Sequence, residues 1–281
     1  MTAIAYDASR LALLQPAVRP TVFIAGDETR LSVDAICAEC ARLAYLRFES
    51  DQPQRQKLQD ALARLSANAW QDFCDPKTDT QAYAVVLPQV GPLVVFRGTE
   101  PDRVTDLGTD LKATTRAWAK GGRVHNGFAE GFIGIRDAIQ PWIDSNGAPA
   151  PTFTGHSLGA ALATLAASHW ACTRLTTIGS PRVGDRYFIG SIKCTVARYV
   201  DCCDIVTHLP PETPWYEHAG SMVYIDRRGS LRPGASATDV ESDRAAARAE
   251  YLLRMAWIDG NVPVRDLADH APINYVRALF P

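Results

Sequence analysis

The chain lacks a field of one charge: among its 281 residues, 29 Lys and Arg face 31 Asp and Glu, leaving a formal charge of −2. Nucleic acid and anionic bilayers are held by clustered basic side chains, so neither is the expected partner; a small-molecule ester or lipid, with at most transient contact with a lipid surface, fits better. The chain also lacks any apolar run of the roughly 18–20 residues needed to span a bilayer. With 47% hydrophobic residues it should fold as one large globular α/β domain. A disulfide framework is missing too. The seven cysteines are odd in number and dispersed, and Cys202 and Cys203 are adjacent, a pattern that suits free thiols in a reducing compartment. Cys37 and Cys40 have redox or metal spacing, but they lie in a helical pattern without a second Cys/His pair, so they read as core thiols and no metal is expected. The N-terminal stretch carries Asp7 and Arg10 early and is interrupted by Pro16, Arg19 and Pro20, unlike a secretory signal. A cytoplasmic location is the expectation, with signal-independent export as the other route.

What is present is a serine set between two glycines. In Pro151-Thr-Phe-Thr-Gly155-His156-Ser157-Leu158-Gly159-Ala160 the residues before the serine alternate as in a strand. Leu158, Ala161, Leu162 and Leu165 then repeat at helical spacing. Glycines two positions before and after Ser157 remove the side chains that would collide in so sharp a turn, exposing the hydroxyl at the head of a helix. The unpaired N–H groups of that helix face the place where an oxyanion would form. The pattern is a nucleophile elbow.

Along the chain, residues 1–31 read as an N-terminal arm with an edge strand at Thr21–Ile24, and residues 32–281 as a single domain. Helical patterns begin at Ser32 and run to Phe48, then from about Gln54 to Ala69. The β-rich runs Gln81–Leu87 and Leu93–Arg97 read as a hairpin or adjacent strands. The connection of about 100–123 has no clean periodicity and many charges, which suits a lid. After a helix over Asn126–Asn146, strands and helices alternate, predicting a mostly parallel central sheet with helices on both faces. Sites in such sheets lie at the carboxyl ends of strands, where Thr99, Ser157 and Asp204 all fall.

A serine nucleophile needs a histidine base held by a carboxylate, and in this fold their order is serine, acid, histidine. His208, His218 and His270 qualify by order. His270, in a short loop near the C-terminus, is the expected base; His208 reads as a pocket-wall residue, His218 as a hydrogen-bonding residue, and His125, His156 and His169 as packing residues. Asp204, at a strand end, is the expected acid; Asp201 should still lie in the strand. Asp269, beside His270, reads as a solvated loop charge.

These residues resemble the class 3, fungal-type lipases of the α/β-hydrolase fold. The resemblance rests on Phe96-Arg-Gly-Thr99, Val124-His-Asn-Gly-Phe128, Thr154-Gly-His-Ser-Leu-Gly-Ala160, Gly179-Ser-Pro-Arg-Val-Gly184, Asp204-Ile-Val-Thr-His-Leu-Pro-Pro211 and Asp269-His270, in that order. It implies Ser157 as nucleophile, Asp204 as orienting acid, His270 as general base and acid, and an oxyanion hole from Leu158 and Thr99, with no cofactor. The activity implied is that of a serine carboxylic ester hydrolase, a lipase or esterase working through an acyl-enzyme. Two other readings are a phospholipase acting on membrane lipids, including a secreted toxin, and an inactive hydrolase fold kept for binding. Pro101 to Lys112 offers only Val104, Leu107 and Leu111 among its charges, which predicts action on dissolved short- to medium-chain esters without interfacial activation.

Overall fold

The computed structural model describes residues 4–26, 28–98 and 114–280. Its centre is an eight-stranded sheet, built from β1 (Asn68–Asp75), β2 (Thr80–Leu87), β3 (Gly91–Phe96), β6 (Thr152–His156), β7 (Arg174–Ile178), β8 (Thr195–Asp201), β9 (Met222–Ile225) and β10 (Leu231–Pro233), side by side in that order. A separate short ribbon pairs β4 (Thr115–Ala117) with β5 (Arg123–His125). From β3 to β9 neighbouring strands run parallel, while β1, β2 and β10 are antiparallel to their neighbours. The expected mostly parallel centre and the hairpin of β2 and β3 are therefore both present.

The parallel strands are apolar on both sides because both sides are covered. Val94, Phe96 and Phe153 pack with α4 (Asn126–Asn146) and α5 (Leu158–His169). Leu93 and Val95 face the other way, onto α2 (Val33–Leu43) and α3 (Gln52–Ala63). A third cluster joins Ile178, Tyr199 and Ile225 to the C-terminal helix α9 (Pro272–Leu279) and the N-terminal segment. Among the described residues the remaining α-helices are α1 (Arg10–Leu14), α6 (Arg186–Ile189), α7 (Ala237–Arg254) and α8 (Arg265–Ala268).

Helix α2 begins as expected at Ser32, whose hydroxyl accepts the Ala35 N–H at 3.1 Å. Asp34 in its first turn ties the helix to the sheet: its carboxylate takes Arg174 at 2.9 and 2.6 Å, Thr176 Oγ1 at 2.8 Å and the Tyr199 hydroxyl at 2.8 Å. Farther along, Glu39 and Arg42 form a fully buried ion pair. Its spare valences hold the N-terminal segment: Glu39 accepts from Thr21 Oγ1 and the Val22 N–H, and Arg42 donates to the carbonyls of Pro16, Arg19 and Pro20. This explains a difference from the sequence reading. Thr21–Ile24 forms no strand and pairs with none among the described residues, because its polar groups are answered by a helix.

One further difference has a local cause. Helix α3 stops at Ala63 and the chain becomes β1, an outer strand in which only Phe73 is buried, so its apolar pattern is too sparse to register in sequence. Trp118 is anchored to the body, its indole N–H donating to Ser168 Oγ at 2.9 Å and its ring lying against Phe132 and Phe188.

Candidate active site

Strand β6 delivers Ser157 to the carboxyl rim of the sheet, where its N–H closes the ladder on the Ile178 carbonyl at 3.0 Å. The chain then reverses into α5 through Ser157 itself, at φ 58° and ψ −127°. A non-glycine residue rarely occupies this region, and it persists only when the surroundings enforce it. The two glycines are part of that enforcement. A Cβ on Gly155 would sit 2.3 Å from the Gly159 carbonyl carbon, and one on Gly159 would sit 2.2 Å from the Phe96 carbonyl oxygen. Leu158 follows as the first residue of α5, so its N–H has no acceptor within the helix.

Asp204 lies three residues beyond β8, and His270 in the turn between α8 and α9; Asp201, as expected, still belongs to the strand. The structure joins the three side chains. His270 Nε2 is 3.0 Å from Ser157 Oγ, and His270 Nδ1 is 3.0 and 2.9 Å from the two Asp204 oxygens. All three residues are buried. Burial of a carboxylate is tolerated when its lone pairs are answered, and Asp204 also accepts the Val206 N–H at 2.9 Å and the Tyr275 hydroxyl at 2.5 Å. Burial and the nearby charges of Asp204 and Asp201 push the Tyr275 phenol well above its ordinary range, so it stays protonated and donates. Gly179, at φ 57°, leaves room for this cluster: a Cβ there would approach the Asp204 carboxylate to 2.8 Å.

His156 supports the histidine from behind. Its Nε2 meets the His270 carbonyl at 2.8 Å, its Nδ1 the Tyr45 hydroxyl at 2.8 Å, and the two imidazole rings are 4.4 Å apart. Burial, then the charge of His270, depresses the His156 imidazole well below its usual range, so it is neutral and its two nitrogens can play donor and acceptor.

Ser157, Leu158, Asp204 and His270 thus meet at one rim, while Thr99 and residues 100–113 lie outside the described residues. His208 and His218 stand apart; His218 Nε2 bonds the Thr207 carbonyl at 2.8 Å. His125 caps α4 through the Phe128 N–H at 3.4 Å. Asp269 corrects the sequence reading. It is fully buried, not solvated, and accepts from Arg265 Nε at 3.0 Å, the Tyr6 hydroxyl at 2.7 Å and the Cys203 N–H at 2.9 Å. Tyr275 and Tyr45 went unrecognised in sequence, while His156, read as a packing residue, and Gly179, quoted only as the opening of a motif, were not assigned to the site. The signals were Tyr275 one helical turn and a half beyond His270, and a glycine opening the Gly179–Gly184 motif.

The sheet order, the elbow and the helices on both faces define an α/β-hydrolase. Residues 93–213 match the sequence pattern of the family described as "Lipase (class 3)". A lipase of Rhizopus niveus is 33% identical over 175 residues, covering 54% of this chain and 43% of the relative. A secreted mono- and diacylglycerol lipase of Fusarium solani is 35% identical over 114 residues, covering 37% and 34%. The chain spans less than half the length of the curated relatives it matches. The crystal structure of a lipase from Rhizopus microsporus var. chinensis superposes with a TM-score of 0.58 over 80% of this chain and 84% of that one, at 23% identity, and shares the fold. The expected cytoplasmic location does not stand: the Fusarium relative is named as secreted.

Proposed function

We propose that this chain hydrolyses carboxylic esters, with acylglycerols and other short- to medium-chain fatty acyl esters as the substrate class. The observation that carries the reading is the continuous hydrogen-bonded line from Ser157 Oγ through His270 to Asp204, with the serine held at a strained strand-to-helix corner. In this reading His270 Nε2 takes the proton as Ser157 Oγ attacks the ester carbonyl, and returns it to the leaving alcohol. Asp204 holds Nδ1–H and so fixes the tautomer that leaves Nε2 free to accept. The oxyanion forms beside the N-terminus of α5, where the Leu158 N–H is the donor within the described residues, with Thr99 as its proposed second. Water then attacks the acyl-enzyme with His270 as base. Residues 32–281 are proposed as one catalytic domain and the connection over 100–123 as its cover.

A fluorophosphonate probe should label the wild-type chain and not Ser157→Ala. Release of acid from p-nitrophenyl esters of increasing chain length, beside triglyceride and phospholipid vesicles, then ranks substrates. Activity surviving in Ser157→Ala would sink the proposal, and turnover confined to phospholipid would replace its substrate class.

A further inference from the structure

A group of cations beside the acid turn takes no part in the line from serine to aspartate. Arg182, Arg198 and Arg244 converge on a cavity of about 390 Å³ walled by β8, β9, the turn after Asp204 and α7. Arg198 projects from the middle of β8, half-buried, and keeps one long hydrogen bond, Nε to the Gly220 carbonyl at 3.4 Å. No carboxylate pairs with it among the described residues. Arg182 is spent on the carbonyls of His208 and Pro210, both at 2.8 Å, with Glu212 at 3.5 Å on the exposed side. Arg244 donates to the Cys202 carbonyl at 2.6 Å and lies over the Tyr224 ring. The carboxylates that line the cavity, Glu212 and Glu241, are both exposed.

The imbalance has electrostatic consequences. Burial first, and then the like charge of Arg182, pushes the Arg198 guanidinium down to about 10. Burial and the charge of Arg198 push His218, on the same wall, down to about 3. A guanidinium partly withdrawn from water without a counter-ion loses some solvation that one long hydrogen bond does not restore, and an anion from solvent would restore it. The remaining wall is apolar: Val200, Met222 and Val240 line the same space. A bare oxyanion would leave that surface wet, whereas one with a short hydrocarbon tail would cover it.

We propose that this cavity binds a short-chain carboxylate, its oxygens on Arg198 flanked by Arg182 and Arg244, and its tail against Met222, Val200 and Val240. Binding itself is independent of the catalytic reading. That the carboxylate is the acid released from an ester rests on that reading. The site adjoins the triad through one turn, since Thr207 lines the cavity and its hydroxyl donates to the Asp204 carbonyl at 2.8 Å.

Calorimetry with hexanoate tests this on the full chain after reaction with a hexyl fluorophosphonate, which fills the acyl site at Ser157. Hexanoate should still bind, at one per chain. Arg198→Gln should weaken it at least tenfold and Arg198→Lys much less, while hexanol should not compete. Should Arg198→Gln fail to fold, Met222→Glu, which places a resident carboxylate in the cavity, should abolish binding instead. Absence of hexanoate binding, equal binding by Arg198→Gln, or competition by hexanol would each overturn the proposal, and inorganic phosphate binding as tightly as hexanoate would overturn the carboxylate assignment. If the probe fails to label Ser157, the catalytic reading falls, and hexanoate binding to the unmodified wild type and Arg198→Gln still decides this one.

Discussion

The two halves of the candidate active site are held by different means. At the nucleophile corner, β6 and the first turn of α5 are contiguous in sequence, and the geometry comes from the backbone: a left-handed serine and two glycines against which no Cβ fits. At the acid–base corner, Asp204 and His270 are 66 residues apart and are positioned by side chains from elsewhere, notably Tyr275, His156 and the Asp269–Arg265 pair. A corner built from local backbone tolerates little change in the size of its own residues. A corner built from long-range polar contacts depends on groups that never touch substrate.

The largest expected break is at the second corner. Asp269→Ala strands the Arg265 guanidinium in the interior and removes the acceptor of the Cys203 N–H, one residue before Asp204; denaturant unfolding should show a loss of about 3–5 kcal/mol. A change below 1 kcal/mol would mean that the pair is not what holds the turn. At the first corner, Gly159→Ala drives a methyl group into the Phe96 carbonyl, and the expected loss is about 1–3 kcal/mol, with activity falling further than stability. Unchanged turnover in a folded Gly159→Ala would show that the elbow has slack.

Tyr275→Phe sharpens the comparison because it removes one hydroxyl from Asp204 and leaves packing in place. Loss of a charge-assisted hydrogen bond of about 1.5–3 kcal/mol should lower kcat by roughly 10- to 100-fold with KM little changed. A rise in KM alone would assign Tyr275 to substrate binding. The last effect, nil at neutral pH, concerns His218, outside both corners. Its folded pKa of about 3 lies below the usual histidine value, so the unfolded chain takes up the proton first as pH falls. Its stabilisation is complete above pH ~6.5 and is lost downward toward pH 3 at up to about 1.4 kcal/mol per unit. His218→Gln should flatten the acid side of the stability profile; the same slope in both proteins would contradict the depressed value.

The contrast between the corners also explains what could be read from sequence. The elbow was legible because its serine and both its glycines lie within five residues, and helix starts such as Ser32 and the span Asn126–Asn146 follow from equally local rules. The order of serine, acid and histidine left three histidines, and the short loop near the C-terminus singled out His270. By contrast, nothing near Asp269 announces Arg265, Tyr6 and the Cys203 N–H as its partners, so a charge beside a loop histidine looked solvated when it is buried. Strand β1 escaped because an outer strand with one buried side chain has no alternation to detect.

By itself, then, the sequence determined the nucleophile turn, the parallel α/β plan and the identity of the residues that meet Ser157, because backbone sterics and hydrophobic periodicity act over a few residues. Only the tertiary structure decided how Asp204 and His270 are oriented, that Asp269 is a buried ion-pair member, and that Arg182, Arg198 and Arg244 share one cavity. Those outcomes depend on desolvation and on hydrogen bonds between segments distant in the chain, and these exist only once the sheet has brought the segments together.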